Sequence, residues 1–183
     1  EDAATNEIYS RTLPAALAIN APTVGAGAWT VVSGPSTLAS QFSSVSSATA
    51  TFTPAGGTGT YTLRWTISNA PCTASTDDVA LTYNALPTIA LGASPSVLPG
   101  ATSANLPYSA TTGSPNQYSI DYNPAANTAG FADVTNAALP ASPIVLTVPN
   151  GAASGTYNAT LTVRNSTTGC VSSSTAFTVT ISN

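Results

Sequence analysis

Histidine, lysine and methionine are absent from this chain of 183 residues, and only 5% of its residues carry charge. Ordinary soluble proteins run at roughly 25%. Without histidine the chain lacks the commonest general base and the imidazole metal ligand. Ser-His-Asp and Cys-His catalysis are therefore excluded. The only basic residues are Arg11, Arg64 and Arg164. Three scattered guanidinium groups make no stripe for a phosphate backbone, so no nucleic acid is expected as a partner. No polybasic segment is present to hold an anionic membrane. Long hydrophobic runs are missing too. Nothing approaches the roughly 18 apolar residues of a spanning helix, so no membrane insertion is expected. No secretory leader is visible and the first residue is not Met, which reads as a processed form or an excerpt of something longer.

What fills the chain is hydroxyl. Serine and threonine together number 53. Small hydroxyl side chains keep a surface solvated without charge, and threonine, being β-branched, favours strands. The acids are Glu1, Asp2, Glu7, Asp77, Asp78, Asp121 and Asp133, and the net charge is −4. Fourteen prolines and thirteen glycines interrupt the chain every few residues, and no segment carries a helical period. Short strands between frequent turns point to an all-β sandwich. Poverty in lysine and wealth in threonine suit an extracellular or cell-surface protein.

The chain repeats itself. Gly59-Thr60-Tyr61 and Gly155-Thr156-Tyr157 each open an alternating run. Tyr61, Leu63, Trp65 and Ile67 share one face, as do Tyr157, Ala159, Leu161 and Val163. Period-two alternation of this length marks a half-buried strand. Ala48, Ala50 and Phe52 alternate upstream of the first run, and Ile144, Leu146 and Val148 upstream of the second. A turn follows each, at Pro54-Ala55-Gly56-Gly57 and at Pro149-Asn150-Gly151. Downstream come Cys72 and Cys170, a polar stretch, and a last strand with Val79, Leu81 and Tyr83 or Phe177, Val179 and Ile181 on one face. The copies lie about one sandwich domain apart, whereas a solenoid repeats every roughly 20 to 50 residues. The expectation is two domains, residues 13–86 and 87–183, with the boundary between Asn84 and Thr88. Residues 1–12 stand outside the repeat as a leader or as a strand exchanged with a neighbouring copy. The Gly-x-Tyr openings suit a tyrosine corner. The antibody-type cysteine two residues later is replaced by Leu63 and Ala159.

Three stretches resemble the PKD-like repeats of very large bacterial surface proteins: Ala28 to Pro35, Tyr61 to Asn69, and Cys72 to Asp78. The second half, at Gly113 to Asp121 and at Gly155 to Cys170, resembles a sister PKD-like type. The resemblance implies tandem immunoglobulin-like sandwiches used as a stalk or spacer of an adhesin. Relatives often carry a second cysteine near the start of each module. Leu98 stands at that place in the second module, and none occurs near Ser10 in the first. The resemblance thus makes Cys72 and Cys170 orphan halves of lost bridges within each domain.

Candidate sites are few. Asp77 and Asp78 are the only adjacent internal carboxylates. In a strand their side chains point to opposite faces, which suits neither acid–base catalysis nor tight chelation, and a solvated turn before the last strand is the plainer reading. Asp121 and Asp133 flank Tyr122-Asn123-Pro124, where a loop tip is the plainer reading. All four are weak candidates for Ca²⁺, which favours clustered oxygens, and no other cofactor is expected. Trp29, Trp65, Tyr118 and Tyr122 could form a platform for glycans, yet their parity places them in the core. Cys72 and Cys170 are candidates for bonds between chains, although buried, inert thiols are the plainer reading. Asn158-Ala159-Thr160 and Asn165-Ser166-Thr167 match the glycosylation sequon. The expected function is therefore non-enzymatic. It is a structural module of a surface protein, a stalk or the repeating unit of a filament, whose partners are neighbouring copies joined head to tail by strand addition. A carbohydrate-binding accessory module is the alternative.

Overall fold

A computed structural model of the chain describes residues 7–10 and 14–183. The chain divides into two compact units that part between Ala85 and Leu86. Residues 1–6 and 11–13, within or beside the expected leader, lie outside the described residues.

Unit 1 contains β1 (Glu7–Ser10), β2 (Ala15–Ala16), β3 (Ala26–Ser33), β4 (Thr51–Phe52), β5 (Gly59–Asn69) and β6 (Cys72–Asn84). One sheet runs β1-β6-β5-β3, and β2 pairs β4 in the second. β1 lies parallel to β6, with Ile8 opposite Thr82. The backbone of Glu7–Ser10 is thus paired within its own chain. Along β5 the residues Tyr61, Leu63 and Trp65 are buried while Thr62, Arg64 and Thr66 are not. That alternation seats one face of the sheet on Trp29, Phe42, Phe52, Leu81 and Tyr83. Leu17 and Ile19 donate to the carbonyls of Ala50 and Ala48 at 2.8 and 3.3 Å, extending the β2–β4 pairing.

Unit 2 contains β7 (Thr88–Leu91), β8 (Ser96–Val97), β9 (Ser103–Leu106), β10 (Tyr108–Thr112), β11 (Gln117–Tyr122), α1 (Pro124–Thr128), β12 (Val134–Ala138), β13 (Ile144–Thr147), β14 (Gly155–Arg164) and β15 (Thr175–Ile181). The main sheet runs β12-β11-β14-β15-β8, and β9 pairs β13 while β7 pairs β10. β8 lies parallel to β15, as β1 does to β6. Two layers of antiparallel strands, with a short early strand crossing to run parallel to the last, make an immunoglobulin-like sandwich.

Both tyrosine corners form. Tyr61 donates its hydroxyl to the Gly57 carbonyl at 3.1 Å, and Tyr157 donates to Ala153 at 2.7 Å. Each bond ties the start of a long strand to the turn before it.

Two local expectations need correction. First, a helix is present. α1 starts with Pro124 in its first turn, and Asn123 caps it by accepting from the Ala126 N–H at 2.9 Å. Proline pre-sets the backbone angle there, and the asparagine satisfies an N–H that the helix leaves free. Five residues are too few to show a 3.6-residue period. Second, the polar stretch from Cys72 is strand, not loop. β6 pairs β5 from Asn69 opposite Cys72 down to Gly59 opposite Tyr83. Ala70-Pro71 alone forms the hairpin tip, so Asp77 and Asp78 sit in the middle of a ladder and not in a turn. Unit 2 keeps a loop at the same place, where only Val171 bridges Arg164.

Candidate functional site

Asp77 and Asp78 point to opposite faces of β6, and Asp78 is held by an arginine. Arg64, opposite it on β5, clasps its carboxylate through Nε and Nη2 at 2.6 and 2.7 Å. The two-pronged geometry holds the Asp78 carboxyl below the usual carboxylate range, chiefly through the Arg64 hydrogen bonds, and raises Arg64 in turn. Both side chains are 40% exposed. The pair is a cross-strand rivet on the solvent face, and it uses both oxygens that a cation would need.

Asp121 and Asp133 are not brought to one task. Asp121 is an exposed residue of β11. Asp133 accepts the Tyr122 N–H at 2.8 Å and so pins the chain after α1 back to β11. Among the described residues no three His, Cys, Asp or Glu side chains gather where a metal ion could sit. Burial, with the charges of Asp133 and Tyr118 next in weight, pushes the Tyr122 phenol up to about 12.

The tryptophans and tyrosines are core, as their parity implies. Trp29 and Trp65 are buried 5.1 Å apart in unit 1. Tyr122 is buried and Tyr118 packs half-buried against the core of unit 2. The thiols differ. Cys170 is buried, but Cys72 is exposed at the start of β6, which corrects the expectation of two buried thiols. The sequon asparagines differ as well. Asn158 is exposed on β14. Asn165 is engaged, its amide nitrogen donating to Gly113 at 3.0 Å and its oxygen accepting from Thr167 and Thr168.

Two features escaped the sequence reading. Gln41 is almost fully buried, donating to Ser36 and Leu38 at 3.0 Å and accepting from Ala55 at 2.8 Å. Both hydrogens and the oxygen of its amide are thus engaged, which braces the long loop before β4. The other feature is a cavity of about 1000 Å³ in unit 2, where Pro124, Ala159 and Phe177 meet Asp121, Asn123 and Asn158. Its wall comes from four separate segments, so no local motif announces it.

Taken together, these side chains can hold strands in register and offer hydrogen bonds to a neutral polar ligand. Neither candidate pair of carboxylates is arranged for acid–base work. Among the described residues no helix is long and apolar enough to cross a membrane.

No family model and no curated protein matches the chain. Solved structures do. Extracellular domains 3–5 of Drosophila OTK match with a TM-score of 0.55 at 13% identity, over 100% of this chain and 60% of that one. The N-terminal eight Ig domains of Down Syndrome Cell Adhesion Molecule match with a TM-score of 0.53 at 13% identity, over 99% of this chain and 27% of that one. The chain therefore spans less than two thirds of either structure, and at such identity the likeness shows the fold alone. That fold is all-β and immunoglobulin-like.

Proposed function

We propose that this chain is a non-enzymatic structural section of an extracellular bacterial surface protein, a stalk or spacer built from PKD-like modules, or the repeating unit of a filament. The observation that carries the reading is the duplication. Two sandwiches follow one another in the sequence, the first ending at Ala85 and the second beginning at Leu86. Modules strung without intervening chain suit a protein that spans distance. A surface of Ser and Thr with 5% charge stays hydrated across changes of salt and pH, which suits exposure outside the cell. The partners are neighbouring copies or modules of the same kind.

The test is immunogold labelling of the source cells with antibody to the purified chain. Gold over the cell surface or over extracellular fibres is expected, and gold confined to the cytoplasm would overturn the reading. Electron microscopy of the purified chain then separates a filament unit, which forms regular fibres, from a spacer, which stays dispersed. Loss of fibres on reduction would assign the contact to the exposed Cys72.

The unit 2 cavity favours a second reading, a carbohydrate-binding module. Its apolar floor beside amide and carboxylate groups is the mixture that a neutral sugar uses. A glycan array decides. Binding lost in Asn158→Ala and Asp121→Ala would support this reading, and an array with no hits would remove it.

A further inference from the structure

The two units differ at one sheet edge. In unit 2, β7 lies antiparallel to β10, with Leu91 opposite Tyr108 and Thr88 opposite Thr112. Ile89 enters the core there and Leu91 packs on it. Among the described residues of unit 1, no strand takes this place.

The ladders identify the place. Ile19 bonds Ala48, and Leu106 stands opposite Ile144. Ala48 and Ile144 are equivalent, by the same offset that relates Tyr61 to Tyr157. Residues 21–25 are therefore the counterparts of β10. Where unit 2 has β7, unit 1 has a groove of about 490 Å³ along Asn20, Ala21, Pro22, Thr23 and Val24, with Ile67 at its side. Val24 is 65% exposed. Ile67 is only half-buried, whereas its counterpart Val163 is fully buried.

A second observation points the same way. Trp65 is buried, and its Nε1 is a buried donor without an acceptor. Such a group is costly to leave unmade. A Cβ placed on Gly27 would lie 1.9 Å from Trp65 Cζ2 and 2.6 Å from Cε2, the carbon bonded to Nε1. Cη2 is equally near at 2.6 Å, and Gly27 stands opposite Ile67, so the six-membered ring of the indole lies over the end of the sheet where the groove lies. A strand seated there would bring backbone carbonyls to that end.

The first seven residues include Glu1, Asp2 and Glu7, a charged composition unlike the uncharged, alternately aliphatic Thr88-Ile89-Ala90-Leu91. Pro22, which has no N–H, is compatible with an incoming strand. Its counterpart is Ser109, the residue that the β7–β10 register skips.

We propose that this groove takes an extended strand from another polypeptide chain, uncharged and aliphatic at alternate positions, laid antiparallel to residues 20–24 on the pattern of Thr88-Ile89-Ala90-Leu91. Backbone bonds to this edge, unpaired among the described residues, would supply affinity, and the alternate aliphatic side chains would supply selectivity. The inference needs only the fold, and it stands or falls apart from the surface role proposed above.

The probe is the hexapeptide Pro-Thr-Ile-Ala-Leu-Gly, the sequence of residues 87–92, titrated into the isotopically labelled full chain and followed by NMR. The expected result is a saturable downfield shift of the Trp65 indole N–H, with about tenfold slower amide exchange at those N–H groups of residues 20–24 that face the new strand, Thr23 among them. A peptide with aspartate at both aliphatic positions should bind at least about tenfold more weakly. Thr23→Pro, which removes an edge donor, should weaken binding by a similar factor while keeping a dispersed spectrum. Three results would overturn the proposal: no saturable shift, equal binding of the aspartate peptide, or new protection at Tyr108–Thr112 in place of the unit 1 edge.

Discussion

Unit 1 fills its centre with rings and unit 2 fills the same space with aliphatic chains. In unit 1, Phe52 contacts Phe42, Tyr61 and Tyr83 with ring centroids 5.2, 5.2 and 6.4 Å away, and Trp29 lies 5.1 Å from Trp65. In unit 2 the equivalent layer is Leu106, Ile144, Leu146, Val148, Leu161 and Val179, and the rings Tyr122, Phe131, Tyr157 and Phe177 touch one another in a separate cluster. One backbone plan thus accepts two fillings, provided each position balances its neighbours. The clearest balance is diagonal. Unit 1 sets Trp65 against Gly27, whereas unit 2 has Leu161 and Tyr118 at the matching places. Volume moves from one strand to the other, which keeps packing dense while the residues change.

The strongest way to sharpen this contrast is to truncate the same position in both units. Phe52 and Val148 are equivalent and both buried. Phe52→Ala is expected to cost unit 1 about 3–5 kcal/mol. Val148→Ala removes two methyl groups and is expected to cost unit 2 about 2 kcal/mol. Both tryptophans belong to unit 1, so their emission during denaturant unfolding reports unit 1, and NMR of β14 amides reports unit 2. Equal losses would mean that the ring cluster contributes less than the larger buried area of Phe52 alone implies.

A smaller effect tests the diagonal exchange. Gly27→Ala drives a methyl group into the Trp65 ring and is expected to destabilise unit 1 by about 1–3 kcal/mol. In a Trp65→Leu background the same change should cost much less, because the smaller side chain vacates the space. An additive double mutant would refute the coupling.

Smaller again is the pair of corners. Tyr61→Phe and Tyr157→Phe each remove one hydroxyl bond, worth about 1 kcal/mol. Tyr61 is fully buried while Tyr157 is half-buried. Water can replace the lost partner of Ala153 more easily than that of Gly57, so the unit 1 variant should lose more. Thermal unfolding of the two variants side by side checks the order.

These comparisons are possible because the duplication was legible. Gly-Thr-Tyr at both strand starts and the alternation behind it located β5 and β14, and parity placed Trp29, Trp65 and Tyr122 inside. The rest was hidden for physical reasons. Residues 72–76 of β6 are all exposed, so no burial period marks them, and they are strand because β5 reaches far enough to pair them. α1 is shorter than the period that would reveal it. The unit 2 cavity combines residues from distant segments, and the edge of unit 1 that no described strand pairs shows only when two folded copies are compared. The Asp78 pairing was hidden as well, since it depends on a register that sequence spacing does not supply.

Acid and alkali should separate the units by the smallest effects. Asp78 of unit 1 has a lowered folded-state pKa. The unfolded chain therefore takes up this proton first on acidification. The contribution of the pair is present above the unfolded value of 3.8 and is lost as pH falls through the lower folded value. Its exposure makes the loss slight and sensitive to salt. Tyr122 of unit 2 runs the other way. Its phenol is held neutral up to about 12 against an ordinary 10.0, so the unfolded chain gives up that proton first. Unit 2 is stabilised below pH 10 and loses that contribution as pH rises toward 12. Unfolding of each unit followed separately across both ranges should show unit 1 weakening in acid in a manner that Asp78→Asn abolishes. Unit 2 should weaken in alkali in a manner that Tyr122→Phe abolishes. An Asp78→Asn chain with an unchanged acid limb would mean that the Arg64 clasp fixes register without adding stability.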